Sequence, residues 1–536
     1  MDGPGPRRRW LGPLLLVAIV AFGAWTRSSG FTRGSLWFDD AWTAMPARVG
    51  LSKAVHMVTT APGYTLALRS WLRLGPTQSW WAQLPAFVAG LAAIVAVFCL
   101  LRFFRAWWPL PYLGAVVVAA SPVAANYSTR VKQFGLDLLL ACVLLWLAER
   151  WRRTPGTRAA VLLALACACS LLVSATTLVV AAGVAGLAVL LAVCDRARRT
   201  EGALVAGVTA ATLAVEYVLW LRHLSPSLHY GWTKRGYLLS TASTHRLAFS
   251  FEAMGTGLVH WMLGVPLGRG RTSTAVTTVG VAVALATAVV LVAVTVPPLV
   301  RVARRRGRAP GPLVASSLAV VLAVVLALLG RSPFGGGRTD EVLYPSLLLL
   351  AAGAVTPWLL RAGARAARWS LAGVVVAAAG LLAVGATHRA AYPTTVLRPL
   401  AAELRHVARP GDVVVVDPWL TFTWAYDGLS STVVSLRPTP IPWSQGFHVV
   451  SLDPRYVISR NYFFPDRSYQ LPHDARVWYV AATVGHQSRV PGHRNHLEVT
   501  ANYLYLRQLG WTPVGVYLTA PHTEAVLLRF RPSAPR

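Results

Sequence analysis

Residues 150–199 read RWRRTPGTRAAVLLALACACSLLVSATTLVVAAGVAGLAVLLAVCDRARR, and this stretch decides the fold. Two apolar runs, 158–174 and 176–194, meet at the nearly uncharged Ser174 to Thr177. Each run has about the 17 to 25 residues that a helix needs to cross a bilayer. Arginines close both far ends, Arg150, Arg152, Arg153 and Arg158 before the pair and Arg196, Arg198 and Arg199 after it. A membrane-spanning helical hairpin with its basic ends on the cytoplasmic side has this form.

The same alternation runs through most of the chain. Apolar stretches fall at 10–26, 83–101, 109–126, 134–149, 158–174, 176–194, 203–221, 274–300, 311–330, 342–360 and 369–387, which makes eleven expected spans. Further basic clusters at Arg7 to Arg9, Arg102/Arg105, Arg301/Arg304/Arg305/Arg306/Arg308 and Arg361/Arg365/Arg368 all fall on the same side, so twenty arginines mark the cytoplasmic face. The N-terminus is then expected inside, and everything after Thr387 outside. The first span could pass for a cleaved signal peptide, because a basic segment precedes an apolar run ending in Ala21-Phe22-Gly23. Retaining it keeps all six basic clusters on one side, and retention is the expectation.

Composition agrees. Of 536 residues, 55% are hydrophobic and 13% charged, against about 25% charged in a soluble protein, and mean hydropathy is +0.50. The formal charge of +31 would raise the question of nucleic acid in another chain. Here the arginines are accounted for by topology, and no nucleic-acid partner is expected. The five cysteines lie in or beside apolar spans and read as small helix-packing residues rather than as disulfides or a metal pair.

From His388 the composition changes. Nine of the twenty acids lie in the last 149 residues, and the pattern becomes that of an α/β domain. Leu397 to Ala408 and Leu497 to Leu509 read as helices; Asp412 to Val416, Val433 to Leu436 and Arg476 to Ala481 read as strands. Val514 to Leu518 and Ala525 to Phe530 read as a closing hairpin. No glycine-rich phosphate loop is present, and His486, His493 and His496 lack metal-ligand spacing. The expected organisation is a transmembrane domain, 1–387, with long external loops at 27–82 and 222–273, followed by an extracytoplasmic domain, 388–536.

The few acids of the membrane part carry the most information. Asp2, Glu149, Asp195 and Glu201 sit at the cytoplasmic face. Asp137 and Glu216 fall inside spans, which leaves Asp39, Asp40, Glu252, Asp340 and Glu341 outside. Leu36-Trp37-Phe38-Asp39-Asp40-Ala41-Trp42-Thr43-Ala44 sets adjacent carboxylates among aromatic residues just after the first span. Like charges side by side at an apolar interface make one of them a ready proton acceptor. Equally, one acid would cap a short interfacial helix starting near Ala41.

The segment Trp37-Phe38-Asp39-Asp40-Ala41-Trp42-Thr43 resembles the acidic motif in the first external loop of the GT-C superfamily of membrane glycosyltransferases. The likeness is greatest to the branch with the protein O-mannosyltransferases and the bacterial lipid A aminoarabinose transferases. Ala61-Pro62-Gly63-Tyr64 resembles the Pro-x-Tyr element that follows the motif, and Ser128-Thr129-Arg130-Val131-Lys132-Gln133-Phe134 resembles the basic, aromatic opening of the fourth span. Pro333 to Asp340, running into Tyr344-Pro345, resembles a Gly/Arg loop before a late span. The resemblance covers residues 1–150 well and the rest as architecture. It implies a GT-C-like multi-pass α-helical fold of about eleven spans in a bacterial plasma membrane. The implied activity is transfer of a hexose or pentose from a polyprenyl-phosphate carrier to a glycan, lipid or protein hydroxyl on the outer face, with inversion.

On that resemblance Asp39 aligns with the general base. Asp40 stands where the family usually has Glu, which leaves a metal or substrate role for it open and with it the place of a divalent cation. The departing phosphate needs positive charge, for which Arg130, Lys132 and Arg338 are the candidates. Each has a plainer role as well, headgroup anchoring for Arg130 and a salt bridge to Asp340 or Glu341 for Arg338. Asp137, an ionisable group inside a span, is a candidate for substrate contact, with pairing to Lys132 or Arg130 across one helical turn the expected plainer role. His56, Tyr64, His245, Arg246, Glu252 and Asp340 are further candidates for contact with sugar or acceptor. Val55 to Ala67 and Leu238 to His260 are expected to lie along the membrane surface. A transporter or lipid flippase, or a polymerase or ligase of lipid-linked glycans, would share the span count. No internal repeat or paired broken spans support the transporter, and the early acidic pair does not suit the polymerase.

Overall fold

The computed structural model describes residues 6–32, 34–48, 60–76, 78–219, 221, 244–263, 278–303, 311–329, 331–332, 340–361, 363–390, 404, 406, 413–416, 423, 426, 476–482, 511–519 and 525–532. Fifteen helices lie among them: α1 (Pro6–Ser28), α2 (Phe38–Arg48), α3 (Pro62–Arg73), α4 (Ser79–Phe103), α5 (Leu110–Ala120), α6 (Pro122–Tyr127), α7 (Phe134–Arg153), α8 (Thr157–Val173), α9 (Leu178–Cys194), α10 (Arg199–Leu219), α11 (Thr244–Leu263), α12 (Thr278–Ala303), α13 (Gly311–Leu328), α14 (Tyr344–Arg361) and α15 (Ala364–Thr387). Eight of these, with the short turns that lead into some of them, are long and apolar enough to cross a membrane by length and composition: α1, α4, α9, α10, α12, α13, α14 and α15. The remaining expected spans are helical too, but α5 and α8 are shorter, and α7 carries Asp137, Glu149 and three arginines.

The stretch expected as one span over 109–126 is two helices. Pro122 has no N–H, so the carbonyl of Val118 loses its helical donor and the chain turns out of the helix at Ser121 (φ −59°, ψ 116°). Ser121 then caps α6, its side chain accepting from the amide of Ala124 at 3.1 Å.

The chain divides into two compact units, one of residues Met1–Phe31, Thr60–Tyr64 and Gln83–Ala391, the other of Thr32–Thr59, Thr65–Ala82 and Tyr392–Arg536. In the first unit α9 packs on α13, α10 on α8 and α9, and α5 on α1 and α15. Its core is built of Ala, Val and Leu around the buried Trp151, Trp261 and Tyr344. Close approach depends on small residues. A Cβ at Gly183 would overlap the carbonyl of Ala315 and stand 3.0 Å from the amide of Ala319. Large apolar side chains such as Leu14, Val17, Val289, Val290, Trp358, Leu360 and Val376 are exposed. A helix surface dressed this way suits lipid rather than water.

The second unit holds a four-stranded sheet, β1 (Val413–Val416), β2 (Val477–Ala482), β3 (Trp511–Thr519) and β4 (Ala525–Pro532), in the order β1-β2-β4-β3. β1 runs parallel to β2, with Val413 beside Val477, and β4 pairs antiparallel with both β2 and β3. The strand expected at Val433 to Leu436 and the helix at Leu497 to Leu509 lie outside the described residues. Trp71 and Trp81 stack with ring centroids 4.3 Å apart, each indole N–H donating to the other's backbone carbonyl.

Gly183→Val places two methyl groups against the backbone of α13, which cannot yield as a side chain would. Overpacking of this kind costs about 1–3 kcal/mol or more, and detergent-solubilised protein is expected to melt several degrees lower in a thermal-unfolding assay, whereas Gly373→Ala, where a Cβ meets nothing within 4 Å, leaves the midpoint unchanged.

Candidate functional site

Polar groups of the first unit gather at the two ends of its helices. At one end Glu149, fully buried, is gripped by Arg152 at 2.6 Å and Arg153 at 2.7 Å. Trp151 donates to Glu201 at 2.7 Å, and Arg198 pairs with Asp195 at 3.3 Å while donating to the carbonyl of Arg152 at 3.2 Å. Glu149 and Asp195 thus pair with arginines of their own turns, while Glu201 and Arg198 link across to the end of α7.

The other end is built differently. Asp137, in the first turn of α7, is buried, and its Oδ2 accepts from the Thr176 hydroxyl at 2.5 Å. Thr176 is itself 2.8 Å from Ser174 Oγ. The expected ion pair of Asp137 with Lys132 or Arg130 is therefore replaced by hydroxyls of the α8–α9 connection, which the hairpin brings to the start of α7. Glu341 is buried in the turn before α14 and accepts from the Trp261 indole at 3.4 Å. Asp137 Oδ1 and Glu341 Oε2 have no hydrogen-bond partner among the described residues, nor do the two carboxyl oxygens of Glu216 in α10.

Arg27 completes this end. It is fully buried at the last turn of α1. Its Nη2 donates to the carbonyl of Val118 at 2.9 Å, its Nη1 to those of Ala119 and Gly23 at 3.0 Å each, and its Nε to Ser128 Oγ at 3.2 Å. Gln83, buried in α4, donates to the carbonyls of Gly30, at 3.1 Å, and Thr129. The segment after Thr129 carries Arg130, half-buried, and Lys132, buried. Sequence reading passed over Arg27 and Gln83, and took Glu341 only as an external acid and a salt-bridge partner for Arg338. The available signal was that Arg27 lies at the end of the first span opposite its basic cluster, where topology asks for no arginine.

In the second unit the acidic pair opens α2. The amides of Asp40 and Ala41 both donate to the carbonyl of Trp37, at 3.0 and 2.8 Å. The helix thus starts about three residues before the expected Ala41, and both acids sit within its first turn, where the positive end of the helix dipole favours them. Asp40 is wholly buried and Asp39 partly exposed. At the far end of α2, Arg48 donates to the carbonyl of Tyr426 at 2.9 Å, its guanidinium 3.8 Å from the centre of that ring.

The remaining candidates scatter. Tyr64 is buried in the first turn of α3, where a Cβ on the preceding Gly63 would lie 2.6 Å from the carbonyl of Leu172. Asp340 is buried at the start of the turn into α14, its carbonyl accepting from the amide of Leu343 at 2.9 Å. Glu252 is half-buried within α11, a helix rather than a loop. His56 and Arg338 lie outside the described residues, as do the side chains of His245 and Arg246. Among the described residues no three of His, Cys, Asp and Glu are grouped to hold a metal ion.

With this architecture in view, the chain is a multi-pass membrane protein whose fold is similar to that of a solved structure. The crystal structure of ArnT from Cupriavidus metallidurans in the apo state matches it with a TM-score of 0.50 at 13% sequence identity, over 98% of each chain. No family model matches the sequence, and no curated protein does.

Thr176→Val removes the donor to Asp137 and leaves a second carboxyl oxygen unsatisfied in a buried place. A loss of about 1–3 kcal/mol is expected as a lower melting temperature in detergent, and Asp137→Asn in the same background is expected to recover most of it by removing the buried charge.

Proposed function

We propose that the protein is a glycosyltransferase that moves a sugar from a polyprenyl-phosphate carrier to an acceptor hydroxyl on the outer face of the membrane, with inversion. The observation that carries the reading is the division of the acidic pair by the first turn of α2, which encloses Asp40 and leaves Asp39 accessible. Asp39 is the acid that the resemblance aligns with the family's base. The fold supports the same reading, since the likeness to ArnT runs along 98% of both chains. The expected orientation, with the N-terminus cytoplasmic and residues from 388 outside, belongs to this proposal.

In the proposed reaction Asp39 accepts the proton of the incoming hydroxyl as its oxygen bonds to the anomeric carbon. The bond from that carbon to the phosphate oxygen breaks, and its electron pair leaves with the lipid phosphate. Because a phosphate is a weak base no general acid is required, but charge accumulates on it and must be met. Arg130 and Lys132 serve that need, Arg by a planar fork and Lys as a point charge. Asp40, enclosed and short, holds the start of α2 rather than reaching substrate.

A transporter has two features in its favour, of which the sequence showed only the intramembrane acid. The helix break at Ser121 and the buried, unpartnered Glu216 are what a solute pathway also uses. A liposome assay separates the two readings. Consumption of a labelled polyprenyl-phosphate sugar supports transfer, and dissipation of a solute gradient without donor consumption supports transport.

Asp39→Asn is expected to lower transfer by roughly 100- to 10,000-fold with insertion and melting temperature unchanged. Transfer at the wild-type rate would remove Asp39 from the mechanism. Lys132→Ala is expected to weaken donor binding by at least about tenfold, the scale of one charge-assisted hydrogen bond, and Lys234→Ala to leave it unaltered, as measured by titration in nanodiscs.

A further inference from the structure

The break between α5 and α6 leaves carbonyls without donors in the interior of the first unit. Val118 would bond to the amide of residue 122, which is proline, and Ala119 lies in the same interrupted turn. Arg27 donates to both from α1, joined at Ala119 by the Thr26 hydroxyl at 3.3 Å, and its Nε–H goes to Ser128 Oγ, which in turn donates to the carbonyl of Ala124 at 2.6 Å. One guanidinium therefore ties the end of α1, the broken turn and the end of α6 together. A lysine has one nitrogen and no fixed fork, and could not span these acceptors.

Immediately after Ser128 the chain enters the segment with Arg130 and Lys132. Between the end of α6 and the start of α7 this segment is neither helix nor strand, and its own backbone bonds are two turn contacts, the amide of Thr129 donating to the carbonyl of Asn126 at 3.1 Å and that of Arg130 to the carbonyl of Tyr127 at 3.3 Å. It is held by the Arg27 to Ser128 bond, by Gln83 on the carbonyl of Thr129, and by the burial of Val131. The packing leaves no slack around the first of these. A Cβ at Gly90 would overlap Ser128 Oγ and lie 3.5 Å from Arg27 Nε. Binding of a phosphate by side chains on a short irregular segment costs conformational entropy unless the segment is already fixed.

We propose that Arg27 is a positioning residue: through Ser128 it sets the place of the Arg130–Lys132 segment, and so governs affinity for the phosphate of a polyprenyl carrier. This inference rests on the phosphate-binding role given to Arg130 and Lys132 above. Arg27 itself does not touch the ligand, since its nitrogens are engaged with carbonyls and with Ser128.

The test is binding of radiolabelled polyprenyl phosphate, without sugar, to the full-length protein in nanodiscs. Lys132→Ala is expected to weaken binding about tenfold, and Arg27→Lys about as much. Ser128→Ala keeps Arg27 and its carbonyl bonds while removing the link onward, and is expected to weaken binding threefold or more. It carries the test if Arg27→Lys fails to insert. The decisive readout is Ser128→Ala added to Arg130→Ala/Lys132→Ala, which is expected to bind no more weakly than Arg130→Ala/Lys132→Ala alone, because Ser128 acts through the position of those two cations. Multiplying effects, or wild-type binding by Ser128→Ala alongside weakened binding by Lys132→Ala, would overturn the positioning role and leave the phosphate reading standing. Unchanged binding by Lys132→Ala would remove the phosphate reading and this inference with it.

Discussion

A single buried guanidinium fixes the polar end of the membrane unit. An arginine out of water has to be satisfied at every nitrogen, because an unpaired charge there is costly, and a helix broken by proline in a low-dielectric interior has carbonyls in need of donors. Arg27 and the Ser121–Pro122 break answer each other. The cation is stabilised by the carbonyls of Val118, Ala119 and Gly23, and those carbonyls are satisfied by the cation. The result is a junction of α1, α5 and α6 that neither a continuous helix nor a neutral side chain would form. The chain after α15 joins the same place, with the amide of Ala390 donating to the carbonyl of Thr26 at 2.9 Å.

Charge is scarce in this chain, and its two uses are physically distinct. At one end of the helices the buried Glu149 is paired with Arg152 and Arg153 and Asp195 with Arg198, and Glu201 takes the indole of Trp151 on a neighbouring helix. At the other end acids are buried against hydroxyls and an indole, with carboxyl oxygens left over. The half-exposed pair of Asp195 with Arg198 adds modestly to stability. Groups of the second kind are expensive to bury, and membrane proteins usually keep them for work. Between the two ends the bundle is held by small residues, which let helix backbones approach to the distances that dispersion forces require.

Much of this was legible in the sequence. Apolar length and the arginine alternation give helices where the structure has them, because the need to satisfy every backbone group in lipid leaves few alternatives. The β-branched runs at Val413 to Val416 and Val477 to Val480, and the closing hairpin, are strands for the equally local reason that their side chains suit a pleated sheet. The acidic pair also announced itself, by the rarity of acids around it. Less legible were the limits of local rules. The start of α2 at Phe38 depends on the Trp37 carbonyl collecting two amides, and Asp137 finds Thr176, 39 residues on, instead of the cations five and seven residues before it.

The sequence by itself determined that this is a multi-pass helical membrane protein with β-strands following its last apolar helix, and that Asp39 and Asp40 are the residues to question first. Hydropathy, charge and residue type settle these points, and they act over a turn or a span. Only the tertiary structure decided which acid of the pair is enclosed, that Asp137 is held by hydroxyls, and that Arg27 and Gln83 anchor the segment of Lys132. Those outcomes depend on groups up to about a hundred residues apart, Arg27 with Ser128 among them, meeting in an interior where each polar atom must find a partner. No local pattern records which partner that will be.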